Sequence, residues 1–271
     1  MNSLFIVRRT CLMLAMSGLL ITTVVAQTPQ PASSQFEPVV GQPGKDVVWV
    51  PTPQSTVDKM LEMAKITPQD YLVDLGSGDG RTVITAAKRG LKALGIEYNP
   101  DMVDLSKKNA AAEGVTDRAT FVKADIFQTD FSQASVVTMF LLPDLNVRLR
   151  PTILNMKPGT RIISNTFNMG DWIPDETQTA SNCPNYCTSH LWIVPAKVEG
   201  SWKMPQGELK LTQTYQTFSG SLGNNPITGG KLVGDQISFE AGGARYEGRV
   251  SGNTIQGTAR ANTTTPFTAT R

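Results

Sequence analysis

The strongest constraint on this chain is the ten-residue run Tyr71-Leu72-Val73-Asp74-Leu75-Gly76-Ser77-Gly78-Asp79-Gly80. A strand-length apolar stretch passes into three alternating glycines, and a segment of helical period follows. Glycine tolerates backbone angles that other residues avoid, so such a run turns sharply and brings the main chain close to a ligand at a helix N-terminus. The pattern predicts a strand–loop–helix unit of Rossmann type. Taken alone, it fits an ordinary βα turn, a dinucleotide site or another cofactor site.

The surrounding sequence repeats that unit. Apolar runs at residues 71–75, 93–97, 119–124, 135–141, 161–166 and 190–194 read as strands. Segments 56–64, 80–89 and 101–113 carry apolar residues at helical spacing. Alternation of this kind predicts an α/β fold, a mostly parallel sheet with flanking helices, over residues 47–198. Beyond residue 199 the composition changes: 12 of the 23 glycines lie there, and residues 209–215 alternate strictly between apolar and polar. Residues 199–271 are therefore expected to form a small antiparallel β domain. Its aromatics, Trp202, Tyr215, Phe218, Phe239 and Tyr246, suit either a glycan-stacking surface or the core of a small sheet.

Residues 1–26 read as an export signal, with Arg8 and Arg9 ahead of an apolar run that ends in Val24-Val25-Ala26. Arg8-Arg9-Thr10-Cys11-Leu12 partly matches a twin-arginine signal, which leaves the export route open. The run is short for a bilayer span and broken by Ser17, Gly18, Thr22 and Thr23. The expectation is an exported, periplasmic protein with no stable membrane span after cleavage, membrane-tethered only if the signal stays. Residues 27–46, rich in Pro, Gln, Ser and Gly, read as a flexible linker. Removing the signal takes away two arginines and no acid, so the formal charge falls from +2 to zero. That balance gives no electrostatic case for nucleic acid as a partner. Oligomeric state has no signature in the sequence.

Two further carboxylates narrow the choice of cofactor. Glu97 ends the second strand, where a carboxylate accepts hydrogen bonds from ribose hydroxyls. Asp125 ends the third, where an acid and the backbone N–H of Ile126 suit an adenine edge. Asp74 lies beside the glycines, where it would repel a pyrophosphate but attract an ammonium or a sulfonium. S-adenosylmethionine carries both cations and no phosphate. The candidate cofactor set is Asp74, Gly76, Ser77, Gly78, Asp79, Gly80, Glu97, Asp125 and Ile126.

With these residues stand Trp49-Val50-Pro51-Thr52-Pro53, Gly95-Ile96-Glu97 and Phe140-Leu141-Leu142-Pro143. Together they make residues 49–196 resemble the class I S-adenosylmethionine-dependent methyltransferases. Within that class the resemblance is to the non-SET protein lysine methyltransferases of mitochondria and their prokaryotic relatives. It implies lysine in a protein as acceptor, Glu97 on the ribose and Asp125 near the adenine. Methyl transfer from a sulfonium is an in-line displacement that asks for alignment and a neutral nucleophile. An apolar channel helps a lysine lose its proton. Phe140, Leu141, Leu142 and Pro143 are candidate channel walls, and Trp49, Pro51 and Thr52 a candidate lid, with core packing and a rigid loop as the alternatives. No catalytic side chain is singled out. A small-molecule methyltransferase, or a non-catalytic scaffold whose β domain binds an envelope partner, are the alternative functions. Cys183 and Cys187, four residues apart, are expected to form a local disulfide in an oxidising compartment. A zinc site completed by His190 is the rival reading.

Overall fold

The computed structural model describes Met1 and residues 36–271. The export signal and residues 27–35 of the linker lie outside the described residues. Among the described residues no helix is long and apolar enough to cross a membrane.

The α/β part is a seven-stranded sheet in the order β3-β2-β1-β4-β5-β7-β6. Its strands are β1 (Tyr71–Leu75), β2 (Lys92–Glu97), β3 (Ala119–Lys123), β4 (Val136–Met139), β5 (Arg161–Asn165), β6 (Glu176–Thr179) and β7 (Thr188–Ile193). The first five pair in parallel, and β7 runs antiparallel to both β5 and β6. β1 lies between β2 and β4 and is covered on both faces, which is why it reads as a continuous apolar run. Successive side chains still alternate: Leu72 joins a core with α1 (Gln54–Met63), α2 (Arg81–Lys88) and α3 (Pro100–Ala112), while Val73 and Leu75 join the opposite core with α4 (Pro143–Ile153).

Two elements have no clear signature in the sequence. Helix α4 is masked by its prolines, Pro143 and Pro151. Pro143 occupies the first helical turn, where a missing N–H costs nothing, and Pro151 falls in the last turns. Strand β6 is short and polar, and its existence depends on pairing with β7.

The segment that reads as a linker departs from expectation over its described part. Residues 41–49 fold back on themselves through Gly41 N–H to Trp49 O (2.8 Å), Trp49 N–H to Gln42 O (2.9 Å) and Gly44 N–H to Val47 O (2.9 Å). Internal backbone pairing replaces the apolar burial that the composition lacks.

The remaining residues form β8 (Gly200–Met204), β9 (Gly207–Thr214), β10 (Thr217–Leu222), β11 (Asn225–Pro226), β12 (Thr228–Val233), β13 (Gln236–Ala241), β14 (Ala244–Ser251), β15 (Thr254–Arg260) and β16 (Thr264–Thr270). Neighbours pair antiparallel, and β8 pairs with β16 while β9 pairs with β10, so the sheet closes into a barrel. Trp202, Phe218, Phe239 and Tyr246 are all buried inside it, and the Phe239 and Tyr246 rings stack at 4.7 Å. They are core, not a glycan platform. Tyr215 instead leaves the barrel and stacks on Trp172 of the α/β part at 5.8 Å.

Trp172 is the pin between the two parts. Fully buried, it donates from Nε1 to Gln216 Oε1 (2.8 Å), and its carbonyl accepts from Trp192 Nε1 (2.8 Å). Gln216 in turn donates to the Ile173 carbonyl at 2.7 Å. Trp172→Ala is expected to cost about 3–5 kcal/mol in urea unfolding and to separate the transitions of barrel and α/β part. Trp172→Phe, which keeps most of the packing but strands the Gln216 oxygen, is expected to cost roughly 1–3 kcal/mol with a single transition.

Candidate active site

The glycine loop is fixed from two sides. Gly76 N–H and Ser77 N–H donate to the Ile96 carbonyl at 2.9 and 3.1 Å. From α3, Ser106 Oγ donates to Gly78 O (2.8 Å) and Asn109 Nδ2 to Asp79 O (2.9 Å). Gly78 has φ +54°, and a Cβ there would lie 2.7 Å from Trp49 Nε1. The absence of a side chain therefore lets the roof sit directly on the loop. Gly80, at φ +84°, has a different task from the one the sequence suggested. A Cβ there would meet Phe121 at 2.8 Å and Ser106 at 2.9 Å, so Gly80 lets α2 start close against β3 and α3 and does not line the cleft.

Glu97 links loop and sheet. Its Oε2 accepts the Gly78 N–H and its Oε1 the Asn99 N–H, both at 2.9 Å. Each oxygen keeps a further lone pair for a ligand hydroxyl. Asp74, one residue before Leu75 on β1, is buried and accepts from Thr138 Oγ1 at 2.6 Å. Burial pushes its carboxyl up to about 7, Thr138 opposes the shift, and the charges of Glu97 and Asp79 add to it. Asp79 itself is gripped by Arg81, whose Nη2 lies 2.6 Å from Oδ2 and whose Nη1 donates to the Thr52 carbonyl at 2.9 Å. Its carboxylate thus ties the loop to the roof.

Asp125 receives an unexpected partner from the segment ahead of the sheet: Lys45 Nζ lies 2.7 Å from Oδ2, while Oδ1 accepts the Phe127 N–H at 2.9 Å. The hydrogen bond from Lys45, with that from Phe127, holds the Asp125 carboxyl below its usual range. Lys45 also sits 4.9 Å over the Tyr98 ring. Residues 42–52 line one side of the cleft without a break.

The opposite end of the cleft is apolar. Phe140, Leu141 and Leu142 line it as β4 ends, and Trp49, Pro51 and Thr52 face it from the roof, with Ser77 and Ile126 also in the lining. Pro143 does not: as the first residue of α4 it starts that helix. Phe167 and Tyr186 join the lining from the segment after β5 and from the β6–β7 loop, and neither is singled out by the sequence. Tyr186 lies inside the Cys183–Cys187 pair, which is joined as a disulfide, so neither sulfur is a thiolate for zinc. Asn165 is buried and donates to Thr52 Oγ1 at 3.3 Å, whereas Asp171 pairs outside the cleft with Arg150 and Tyr215.

Several features fit a cationic adenosyl ligand. The cleft carries five carboxylates, from Asp46, Asp74, Asp79, Glu97 and Asp125, and the Asp74 side chain is partly starved of counter-charge. The Ser77 hydroxyl is buried against Gly95 and Phe121 with no hydrogen-bond partner among the described residues, so it packs beneath the loop.

Comparison with known proteins gives the same class. The family model described as the ANTKMT methyltransferase domain matches residues 74–176. The chain is similar to a protein-lysine N-methyltransferase of Saccharolobus islandicus (strain REY15A), 42% identical over 55% of this chain and 94% of the relative. It is also similar to the adenine nucleotide translocase lysine N-methyltransferase of Mus musculus, 31% identical over 58% of this chain and 67% of the relative. A crystal structure of an RNA methyltransferase from Salinibacter ruber in complex with S-adenosyl-L-homocysteine superposes with a TM-score of 0.52 and 44% identity, over 55% of this chain and 96% of that one. The chain is an S-adenosylmethionine-dependent methyltransferase.

The Asp74 carboxyl gives a pH prediction. Raised from 3.8 to about 7, it adds stability to the cofactor-free fold that is complete below the unfolded value and lost as pH rises through about 7. Asp74→Asn is therefore expected to raise the Tm of the cofactor-free protein at about pH 8 and hardly change it at about pH 4. A cationic ligand selects the ionised form, so near neutral pH the wild type should release a proton on binding S-adenosylmethionine. Calorimetry in buffers of different ionisation enthalpy reads that proton. Equal apparent heats in every buffer would contradict the assignment.

Proposed function

The chain belongs to the class I, non-SET protein-lysine N-methyltransferase family, and on that premise we propose that it methylates the ε-amine of a lysine in a protein. The observation that carries this reading is one cleft whose acids Asp74, Glu97 and Asp125 stand at β1, β2 and β3, while Phe140, Phe167 and Tyr186 line it from the far side of the sheet order, at β4, after β5 and in the β6–β7 loop. The acidic end suits the cofactor and the apolar end suits a lysine side chain.

Bound in the cleft, S-adenosylmethionine supplies an electrophilic methyl group on a sulfonium. Asp74, with Gly76 to Asp79, would hold its amino-acid part, Glu97 its ribose, and Asp125 with Ile126 its adenine. The aliphatic walls of Leu141 and Pro51 disfavour an ammonium and so promote loss of the acceptor's proton. Thr52 and Trp49 exclude water from above. Alignment then supplies most of the acceleration, and no strong general base is required.

The reading extends to place and partner. The N-terminal apolar run and the Cys183–Cys187 disulfide support an exported protein working in an oxidising compartment. The zero formal charge left after removal of residues 1–26, with Arg8 and Arg9, supports a protein over a nucleic acid as acceptor.

The test is to incubate the mature protein with tritiated S-adenosylmethionine and envelope extract, then separate protein, RNA and small molecules. Label is expected in protein and, after acid hydrolysis, in methylated lysine. Label confined to RNA or to small molecules overturns the acceptor class. Glu97→Ala, which loses both the ribose acceptor and the tie to Gly78, is expected to weaken cofactor binding by at least about tenfold, ~1.4 kcal/mol.

A further inference from the structure

The β6–β7 connection is closed by the Cys183–Cys187 disulfide into a tight loop, and that loop delivers a single aromatic ring to the cleft. The Tyr186 ring lies 5.1 Å from that of Phe140, which stacks 6.0 Å from that of Phe167. The three rings come from three separate places in the chain: the end of β4, the segment after β5 and this loop. All three stay partly open to solvent instead of joining a core. Aromatic faces left open around a cleft fit a cation, because the ring quadrupole attracts positive charge.

Tyr186 does not reach this position by local preference. Its φ is +53°, a value a bulky residue adopts only when its surroundings impose it. Here the disulfide closes the loop, Thr56 Oγ1 on α1 donates to the Tyr186 carbonyl at 3.2 Å, and Ala180 N–H donates to the Cys187 carbonyl at 2.8 Å. Thr56 is fully buried, so the anchor on α1 is fixed.

We propose that Tyr186, with Phe140 and Phe167, forms the aromatic aperture that binds the acceptor's ammonium before transfer and the methylated ammonium after it, and that the Cys183–Cys187 disulfide positions Tyr186 for this task. The inference rests on lysine being the acceptor. It makes acceptor binding dependent on the oxidised loop and leaves cofactor binding independent of it, because the loop is anchored on Thr56 of α1 and meets the cleft through Tyr186 beside Phe140.

The experiment uses the full mature protein loaded with S-adenosylhomocysteine and the probe Nα-acetyl-trimethyllysine amide, with binding followed by NMR titration. Wild type is expected to bind the probe. Tyr186→Ala should weaken it by about tenfold, ~1.4 kcal/mol, and Tyr186→Phe, which keeps the ring, should restore it. Cys183→Ser with Cys187→Ser should weaken it severalfold. S-adenosylhomocysteine affinity should stay within about twofold of wild type in every variant, which also shows that each is folded. No probe binding to wild type, unchanged probe binding in Tyr186→Ala or in the double serine variant, or an equal loss of both ligands would overturn the proposal. Label appearing only in RNA or small molecules in the transfer assay strikes the lysine reading itself, so the two failures are told apart.

Discussion

One carboxylate organises the cofactor end of this molecule. Glu97 stands where β2 ends and accepts one N–H from the glycine loop and one from Asn99, which caps α3. Two consecutive βα connections are thereby tied to a single side chain. The glycine loop meets the roof only because it is held in place, since Gly78 supports Trp49 by lacking a side chain. Arg81 carries the same tie outward, from Asp79 to the Thr52 carbonyl. Loop, roof and α3 form one hydrogen-bonded frame, and the acids of the cleft project from it.

The cofactor end was legible in the sequence because its information is local. A strand, three glycines and a helix lie within one short run, and Glu97 and Asp125 each follow a recognisable strand. Asp74 could be read for its charge, although only the structure reveals how far burial and the neighbouring acids alter that charge. Gly80 and Pro143 each sit within a run of site residues, and the structure gives the first a packing role against Phe121 and Ser106 and the second the start of α4.

The acceptor end was only half legible because its parts are distant in sequence. Phe167 and Tyr186 reach Phe140 only after β5, β6 and β7 have paired, and no periodicity marks them. Lys45 was hidden in a stretch whose composition looks like a tether, since a roof held by backbone pairing and one ion pair needs few apolar residues. The barrel's aromatics had two readings in sequence. Strand alternation with closure placed Trp202, Phe218, Phe239 and Tyr246 inside, while the turn at Tyr215 sent that ring to Trp172.

The closed barrel has a consequence for the company the molecule keeps. An open sheet of similar strands would display a row of unsatisfied N–H and C=O groups, a template for pairing with any passing extended chain. Here β9 meets β10 over six residue pairs and β8 meets β16 at Lys203 and Thr270, so closure of the ring takes up much of that border. An appended β module has therefore been gained without adding a long adhesive border to the enzyme.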